Sequence, residues 1–364
     1  MNWNNKIIYR KGVSMNKNNK TMKAVVWDGP FKVSLKEVEK PSPEKKEVLI
    51  KTKAVGICGS DLEIYDGRFK QSTPPLIIGH EGGGIVEDVG DSVTKVNKGD
   101  RVIVECLLYC GECENCRKGL YNLCFNHKVI GMIGHDGEYA EYFVAPEQNV
   151  HNLPENISWE EAGLIDTLAG PVAGIEKTNI HLGQTVVVYG PGPAGLFFCK
   201  LAKLRGAGKT YLVGTRDSRL ALGEKYGADV ILNAKRDNVE EYILKDTNGR
   251  GVDLVIEAAG SHEALNSGMQ VIKKGGELLI YGVFGGGPVP VDIQPIQINE
   301  LVIKGLNGSP FKYPDTINLI SKKMINVKDV ISHTFKIEQL PDLFSSGFIA
   351  NRKENYMKGV VLFD

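Results

Sequence analysis

The sequence predicts an α/β protein made of an irregular, β-rich domain and a parallel sheet doubly wound by helices. Two stretches of patterning and one glycine motif predict it. Between Met22 and about Pro154, short β-branched runs alternate with glycine turns, as in VLIKTKAVGICGSD, GGGIVEDVG, GDRVIVE and AEYFVAP. That spacing suits a partly barrel-like β domain. From Thr185 the runs become apolar and near-continuous: TVVVYGPGPAGLFFCKLAKLRGA and TYLVGTRDSRLALGEKYGA each lead into an amphipathic helix, and VDLVIEAAG and GGELLIYGV repeat the strand. Strands that are apolar on both faces need cover on both, which repeated βα units supply. The motif is Gly190-x-Gly192-x-x-Gly195, set between the first of these strands and its helix.

Taken in order, residues 1–21 read as a disordered, Asn/Lys-rich leader, with Met15 and Met22 both available as starts. The β-rich domain occupies 22–170, and a stretch of helical pattern from Ile157 to Ile180 runs across its end into the next domain. The parallel-sheet domain occupies 171–304. After Lys304 a helical segment, YPDTINLISKKM, and a last strand, MKGVVLFD, do not extend the βα repeat, so residues 305–364 return to the first domain.

With 364 residues, 42% of them hydrophobic, the chain is long enough to bury a large core in two domains. Lysine plus arginine equals aspartate plus glutamate at 44 each, so the net charge is zero. That balance argues against nucleic acid or an anionic membrane as the main partner and leaves room only for a local basic site. No apolar run approaches the roughly 20 residues that span a bilayer, and the start lacks the apolar centre of a secretory signal. A reducing cytoplasm is the expected location.

Four of the seven cysteines fall within one stretch, Cys110-x2-Cys113-x2-Cys116-x7-Cys124. Zinc takes four tetrahedral thiolates, and overlapping CxxC turns let successive sulfurs converge on one ion. Gly111 and Asn115 suit the tight turns of such a cage. A pair of disulfides is the alternative, and it fits a small secreted domain better than this chain.

The glycine motif follows strand Thr185–Tyr189 and opens a helix through Pro193 and Ala194, the context of a dinucleotide fingerprint. Gly190 permits the tight turn, Gly192 lets backbone approach a pyrophosphate, and Gly195 lets helix and strand pack closely. The helix N-terminus then faces the phosphates. An NAD site ends its second strand in a carboxylate that grips the ribose. Here strand Thr210–Val213 ends in Gly214-Thr215-Arg216, with Arg219 three residues on, and Asp217 reads as a helix cap. Small residues leave room for a 2′-phosphate, which guanidinium forks match. NADP(H) is thus preferred over NAD(H), unless both arginines are solvated surface charges.

Two further motifs lie at strand-to-turn junctions, Gly56-Ile57-Cys58-Gly59-Ser60-Asp61 and Gly79-His80-Glu81. With the cysteine cluster and the nucleotide fingerprint, they resemble the zinc-dependent medium-chain dehydrogenases, the alcohol, sorbitol and threonine dehydrogenase superfamily. The resemblance runs from Met22 to Asp364. It implies a GroES-like catalytic domain, a Rossmann nucleotide-binding domain, a small alcohol or ketone substrate, and a homodimer or homotetramer. It also implies two zinc ions per chain: a structural one on Cys110, Cys113, Cys116 and Cys124, and a catalytic one on Cys58 and His80. Glu81 would lie in or just outside the catalytic shell, and Asp166 would take the place of a further Cys or Glu ligand.

The chemistry is consistent with that family. Three mixed ligands leave zinc one open position, where an alcohol oxygen is polarised before hydride passes to the nicotinamide. Ser60 is the expected first proton acceptor, Asp61 the carboxylate orienting His80, and Glu63 the exit of the relay where relatives use histidine, with water as the alternative. Ordinary turn hydrogen bonding is the other reading of Ser60 and Asp61. Asp166-Thr167 stands where Glu-Pro is usual, so the pocket departs from that of a standard sorbitol dehydrogenase. Ile64, Tyr65, Phe69 and Glu300 are candidate substrate contacts. A polyol, sugar derivative or other secondary alcohol is the favoured substrate class, with an NAD-dependent alcohol, sorbitol or threonine dehydrogenase as the alternative. A zinc-free enone or quinone reductase would lack Cys58 and the cysteine cluster, and a non-catalytic ligand sensor would have lost ligands.

Overall fold

The structure is a computed structural model that describes residues 21–285, 287–351 and 355–364. The expected leader falls almost wholly outside them, but Thr21 already belongs to the first strand, one residue ahead of the expected boundary.

The β-rich part is a set of mainly antiparallel strands. β1 (Thr21–Gly29) pairs with β2 (Lys32–Glu39) and with the short β4 (Leu76–Ile77). A larger sheet centres on β3 (Glu47–Gly56) and β5 (Glu81–Val89), and continues through β6 (Arg101–Val104) to β11 (Val150–Asn152). β10 (Tyr142–Pro146) pairs with the first half of β3, and β19 (Lys358–Leu362) with its last residues, so the chain's end is sewn back beside the start. β18 (Ile331–Phe335) then lies parallel to β19. The cysteine stretch forms a lobe between β7 (Leu107–Leu108) and β8 (Lys128–Ile130), with β9 (Gly134–His135) completing a small sheet.

The second part is the expected parallel sheet. Its strands are β12 (Thr185–Tyr189), β13 (Lys209–Gly214), β14 (Val230–Asn233), β15 (Val252–Glu257), β16 (Ile272–Ile280) and β17 (Val302–Gly305). They lie in the order β14-β13-β12-β15-β16-β17, every neighbouring pair parallel. The chain order reverses between β12 and β15, and a crevice outside the carboxyl ends of the strands opens at such a switch point.

Helix α1 (Gly59–Tyr65) follows β3, α2 (Glu114–Arg117) lies in the cysteine lobe, α3 (Trp159–Ala162) and α4 (Ile165–Lys177) join the two parts, and α5 (Pro193–Leu204) follows β12. Leu168, Ala169, Val172 and Ile175 of α4 are buried in a core that also takes Ala54 and Ile103 from one sheet, Val186 and Val188 from the other, and Phe198 from α5. Burying one such aliphatic side chain contributes about 1.5–3 kcal/mol, so α4 joins the two parts through a shared core. Pro171 interrupts its ladder, since it has no N–H to give the carbonyl of Thr167 one turn earlier. Among the described residues no helix is long and apolar enough to cross a membrane.

Candidate active site

β3 ends at Gly56, and Cys58, two residues on, is the extended N-cap of α1. The Asp61 carboxylate reaches back one turn to accept the Cys58 N–H at 2.9 Å, fixing the turn that presents the thiol. Asp61 is fully buried and also accepts the Tyr139 hydroxyl at 2.8 Å, while its other oxygen stands 3.3 Å from His80 Nδ1. Burial alone would raise its carboxyl, but His80 and these hydrogen bonds hold it below the usual range. The far ring nitrogen of His80, Nε2, lies 3.1 Å from Ser60 Oγ. Asp61 thus stands at one edge of the imidazole and Ser60 at the other.

Glu81 follows His80 as the first residue of β5, and donor atoms of Cys58, His80 and Glu81 all lie within 4.8 Å of one another. A sulfur, an imidazole nitrogen and a carboxylate converging at that range suit zinc. Glu81 is itself held: Oε2 makes a buried ion pair with Lys358 Nζ and accepts the Thr167 hydroxyl at 3.2 Å. Lys358 is the first residue of β19, and nothing in its local sequence marked it. Asp166 lines the same cavity but stands outside the converging group, with Oδ1 accepting the Tyr313 hydroxyl at 2.8 Å. Burial, and then the charge of Glu81, push its carboxyl up to about 6. Glu138 adds another buried acid beside Glu81 and Asp166, held well above the usual carboxylate range by burial first. Three acids, Glu81, Asp166 and Glu138, thus gather around one lysine, a lining that a divalent cation would suit.

The four lobe cysteines form a second donor group. Cys110 and Cys116 sulfurs are 3.9 Å apart, Cys113 and Cys124 3.9 Å, and Cys110 and Cys124 3.5 Å. Four ligands about 2.3 Å from a tetrahedral zinc stand about 3.8 Å apart, whereas a disulfide needs about 2.05 Å. The spacing is therefore that of a metal cage, and all four thiols are free. N–H groups of Cys116 and Phe125 draw the Cys113 thiol down to about 6, favouring the thiolate. None of the four lines the cavity.

That cavity, about 800 Å³, joins Cys58, Glu81 and Asp166 to the glycine loop. Gly190 has φ +105°, and a Cβ there would come within 2.7 Å of the Ala258 carbonyl. At Gly195 a Cβ would stand 1.8 Å from the Gly190 oxygen. Gly192 differs, because its nearest neighbour would be Arg219 Nη1 at 3.8 Å. Its missing side chain leaves open cavity, the space a pyrophosphate needs. Pro193 and Ala194 begin α5 behind it. Gly214, Thr215, Arg216 and Arg219 line the far end, where Arg216 is exposed and Arg219 donates to the Tyr356 carbonyl at 2.9 Å.

Several expectations need correction. Asp217 does not cap a helix through its side chain: Arg216 is the cap residue, and the Asp217 carboxylate accepts from Asn233 at 2.8 Å and Arg236 at 2.7 Å. Glu63 turns toward Arg68, 3.8 Å away, and among the described residues no hydrogen bond joins it to Ser60. Ile64 is core, Tyr65 and Phe69 pack against that core, and Glu300 is exposed; none of them lines the cavity. Leu62 and Tyr281 line it instead.

Comparison with known proteins bears on this geometry. Residues 44–155 match the family described as the alcohol dehydrogenase GroES-like domain, and residues 193–322 that described as zinc-binding dehydrogenase. The chain is 36% identical to the D-arabitol-phosphate dehydrogenase of Enterococcus avium, over 89% of this chain and 94% of that one. It is 34% identical to the sorbitol dehydrogenase of Bacillus subtilis (strain 168), over 88% and 92%. Among solved structures it is similar to a candidate zinc-binding dehydrogenase of Sinorhizobium meliloti 1021 bound to NADP, with 30% identity and a TM-score of 0.89 over 94% of this chain and 100% of that one.

Proposed function

Because this chain belongs to the zinc-dependent medium-chain dehydrogenase superfamily, we propose that it exchanges a hydride between NADP(H) and a secondary hydroxyl of a polyol or sugar derivative. The observation that carries the reading is the shared cavity, in which Cys58, Glu81 and Asp166 meet the Gly190–Gly195 loop. The polyol-acting names of the two relatives support the substrate class. The end of β13 supports NADP(H), since a glycine, a threonine and two arginines stand there without a ribose-binding carboxylate.

We assign the residues as follows. Cys58, His80 and Glu81 hold the catalytic zinc, with Asp166 the carboxylate next to them, and the four lobe cysteines hold a structural one. Bound zinc would supply Lewis acidity at the substrate oxygen, and the nicotinamide would supply the hydride chemistry. Asp61 fixes the His80 ring, while Lys358 and Thr167 hold one Glu81 oxygen, Oε2. Ser60 takes the hydroxyl proton of an alcohol as its carbinol hydride departs, and returns it in ketone reduction. Since Glu63 is engaged by Arg68, water carries that proton outward. The catalytic domain comprises 22–170 and 305–364, and the nucleotide domain 171–304. Assembly as a homodimer or homotetramer is supported by β17, an edge strand with exposed Val302 and Ile303 beside exposed Ile293 and Ile298.

The test is a paired NADP+ and NAD+ screen over polyols, phosphorylated polyols and simple secondary alcohols, with zinc counted on the same protein. The expected result is polyol-dependent NADPH formation with about two zinc per chain. Activity confined to NAD+ would overturn the cofactor reading, and no polyol activity with either would overturn the substrate class.

A further inference from the structure

Tyr281 stands just past the carboxyl end of β16 and lines the cavity that holds the donor group. It follows Ile280, the last residue of β16, and its N–H and that of Gly282 both donate to the Glu257 carbonyl at 2.9 Å, pinning it beside the end of β15. Its ring meets Phe198 of α5 edge-on, centroids 5.0 Å apart at 81°. On the other side it rests on α4 at Gly170, where an added Cβ would stand 2.5 Å from the Tyr281 hydroxyl and 3.2 and 3.3 Å from two ring carbons. Only glycine leaves room there, so ring and notch fit one another.

That notch lies one helical turn from Asp166, and residues four apart share a helix face. Tyr281 lines the cavity together with Asp166, Cys58 and Glu81. Burial, then the charges of Asp166, Cys58 and Glu81, push its phenol above the usual range, so the hydroxyl remains a donor. Among the described residues that hydroxyl makes no hydrogen bond to protein. A rigidly held aromatic with an uncommitted hydroxyl facing a cavity is poised for a ligand.

The sheet says which part of a ligand arrives there. A dinucleotide lies across the carboxyl ends of the strands, with its adenosine over the second strand, here β13. The other half then extends over β15 and β16, where Tyr281 stands. We propose that Tyr281 is a positioning residue for hydride transfer, its hydroxyl meeting the nicotinamide carboxamide and its ring setting the orientation of the nicotinamide. The inference rests on the reading of the cavity as a nicotinamide dinucleotide site.

The test compares whole cofactor with its adenosine half on the full-length protein. Wild type and Tyr281→Phe are titrated with NADPH and 2′,5′-ADP, and in parallel with NADH and ADP. The phenylalanine keeps the ring and the Gly170 contact and deletes one hydrogen bond. NADPH binding should weaken about 3–10-fold, while 2′,5′-ADP stays within about twofold. In turnover, the primary deuterium isotope effect on kcat/KM should rise, as hydride transfer becomes more limiting. Gly170→Ala, which presses on the hydroxyl, should give the same selective loss, and less of it in the Tyr281→Phe background. Equal weakening of NADPH and 2′,5′-ADP, or weakening of neither, would overturn the assignment. Wild type that binds none of the four would remove the dinucleotide reading, and this inference with it.

Discussion

The cysteine lobe takes its four donors from fifteen consecutive residues, Cys110 to Cys124, whereas the cavity centre takes Cys58, His80 and Glu81 from two elements and their counter-charge, Lys358, from 277 residues beyond Glu81. In the lobe the donors are alike and converge on each other at 3.5–3.9 Å, a shell that closes on itself. In the cavity the donors are steadied by unlike neighbours: Asp61 for the Cys58 turn and for His80, and Lys358 and Thr167 for Glu81, while Tyr313 holds the adjacent Asp166. Two of those neighbours, Thr167 and Lys358, line the cavity themselves, and the three converging donors leave a fourth position to be filled from it. A closed shell of like donors makes a staple, and an open shell of unlike, propped donors makes a reactive site.

The hardest way to break the contrast is Cys58→Ala. It removes a cavity donor while leaving the lobe intact, so activity should fall by at least about a thousand-fold. Zinc should drop from about two to about one per chain, and the far-ultraviolet circular dichroism should not change. Loss of both ions together would mean that the two centres are not independent.

Lys358→Met probes the props. It leaves Glu81 buried without its cation, and breaking a buried pair in this way costs about 3–5 kcal/mol. Zinc would take over part of that carboxylate's charge, so thermal unfolding should show a larger loss in chelated protein than in zinc-loaded protein. An equal loss in both would argue that Glu81 does not face the metal. In the lobe, Cys113→Ala should lower the melting temperature, with a loss of about 2–4 kcal/mol. NADPH binding in the cavity should survive it, because no lobe cysteine lines that cavity. Loss of cofactor binding in Cys113→Ala would show that the staple shapes the site after all.

The same contrast governs what could be read from the chain. The lobe was legible because its ligands are local and alike, and the glycine loop because strand, turn and helix follow without a gap. Cys58, His80 and Asp61 were legible through short motifs whose geometry is set within one turn of α1 and one end of β5. Lys358 was not, since its role exists only once β19 pairs with β3 beside Glu81. Tyr281 and Tyr313 were hidden for a similar reason: an aromatic next to an apolar run reads as core until its contacts with α4 are known. Glu63 was legible as a carboxylate near Ser60, but its approach to Arg68 at 3.8 Å belongs to the fold and not to the local sequence.

The smallest of these effects tests the end of the cavity farthest from either metal. Arg216 lines the cavity, is exposed, and follows Gly214 and Thr215 at the end of β13. An exposed guanidinium is well screened, so a single contact with a 2′-phosphate is worth about 1 kcal/mol. Arg216→Ala should therefore reduce kcat/KM for NADPH about five- to tenfold and leave NADH almost untouched, narrowing the preference without reversing it. Arg219 is the less informative partner to remove, because its guanidinium also holds the Tyr356 carbonyl at 2.9 Å and its loss would disturb the C-terminal segment. If Arg216→Ala lowers both cofactors equally, the side chain acts on the shared pyrophosphate or adenosine, and the phosphate reading at β13 fails. If NADPH alone suffers, the adenosine end discriminates by one surface charge, without the propped network that the reacting end requires.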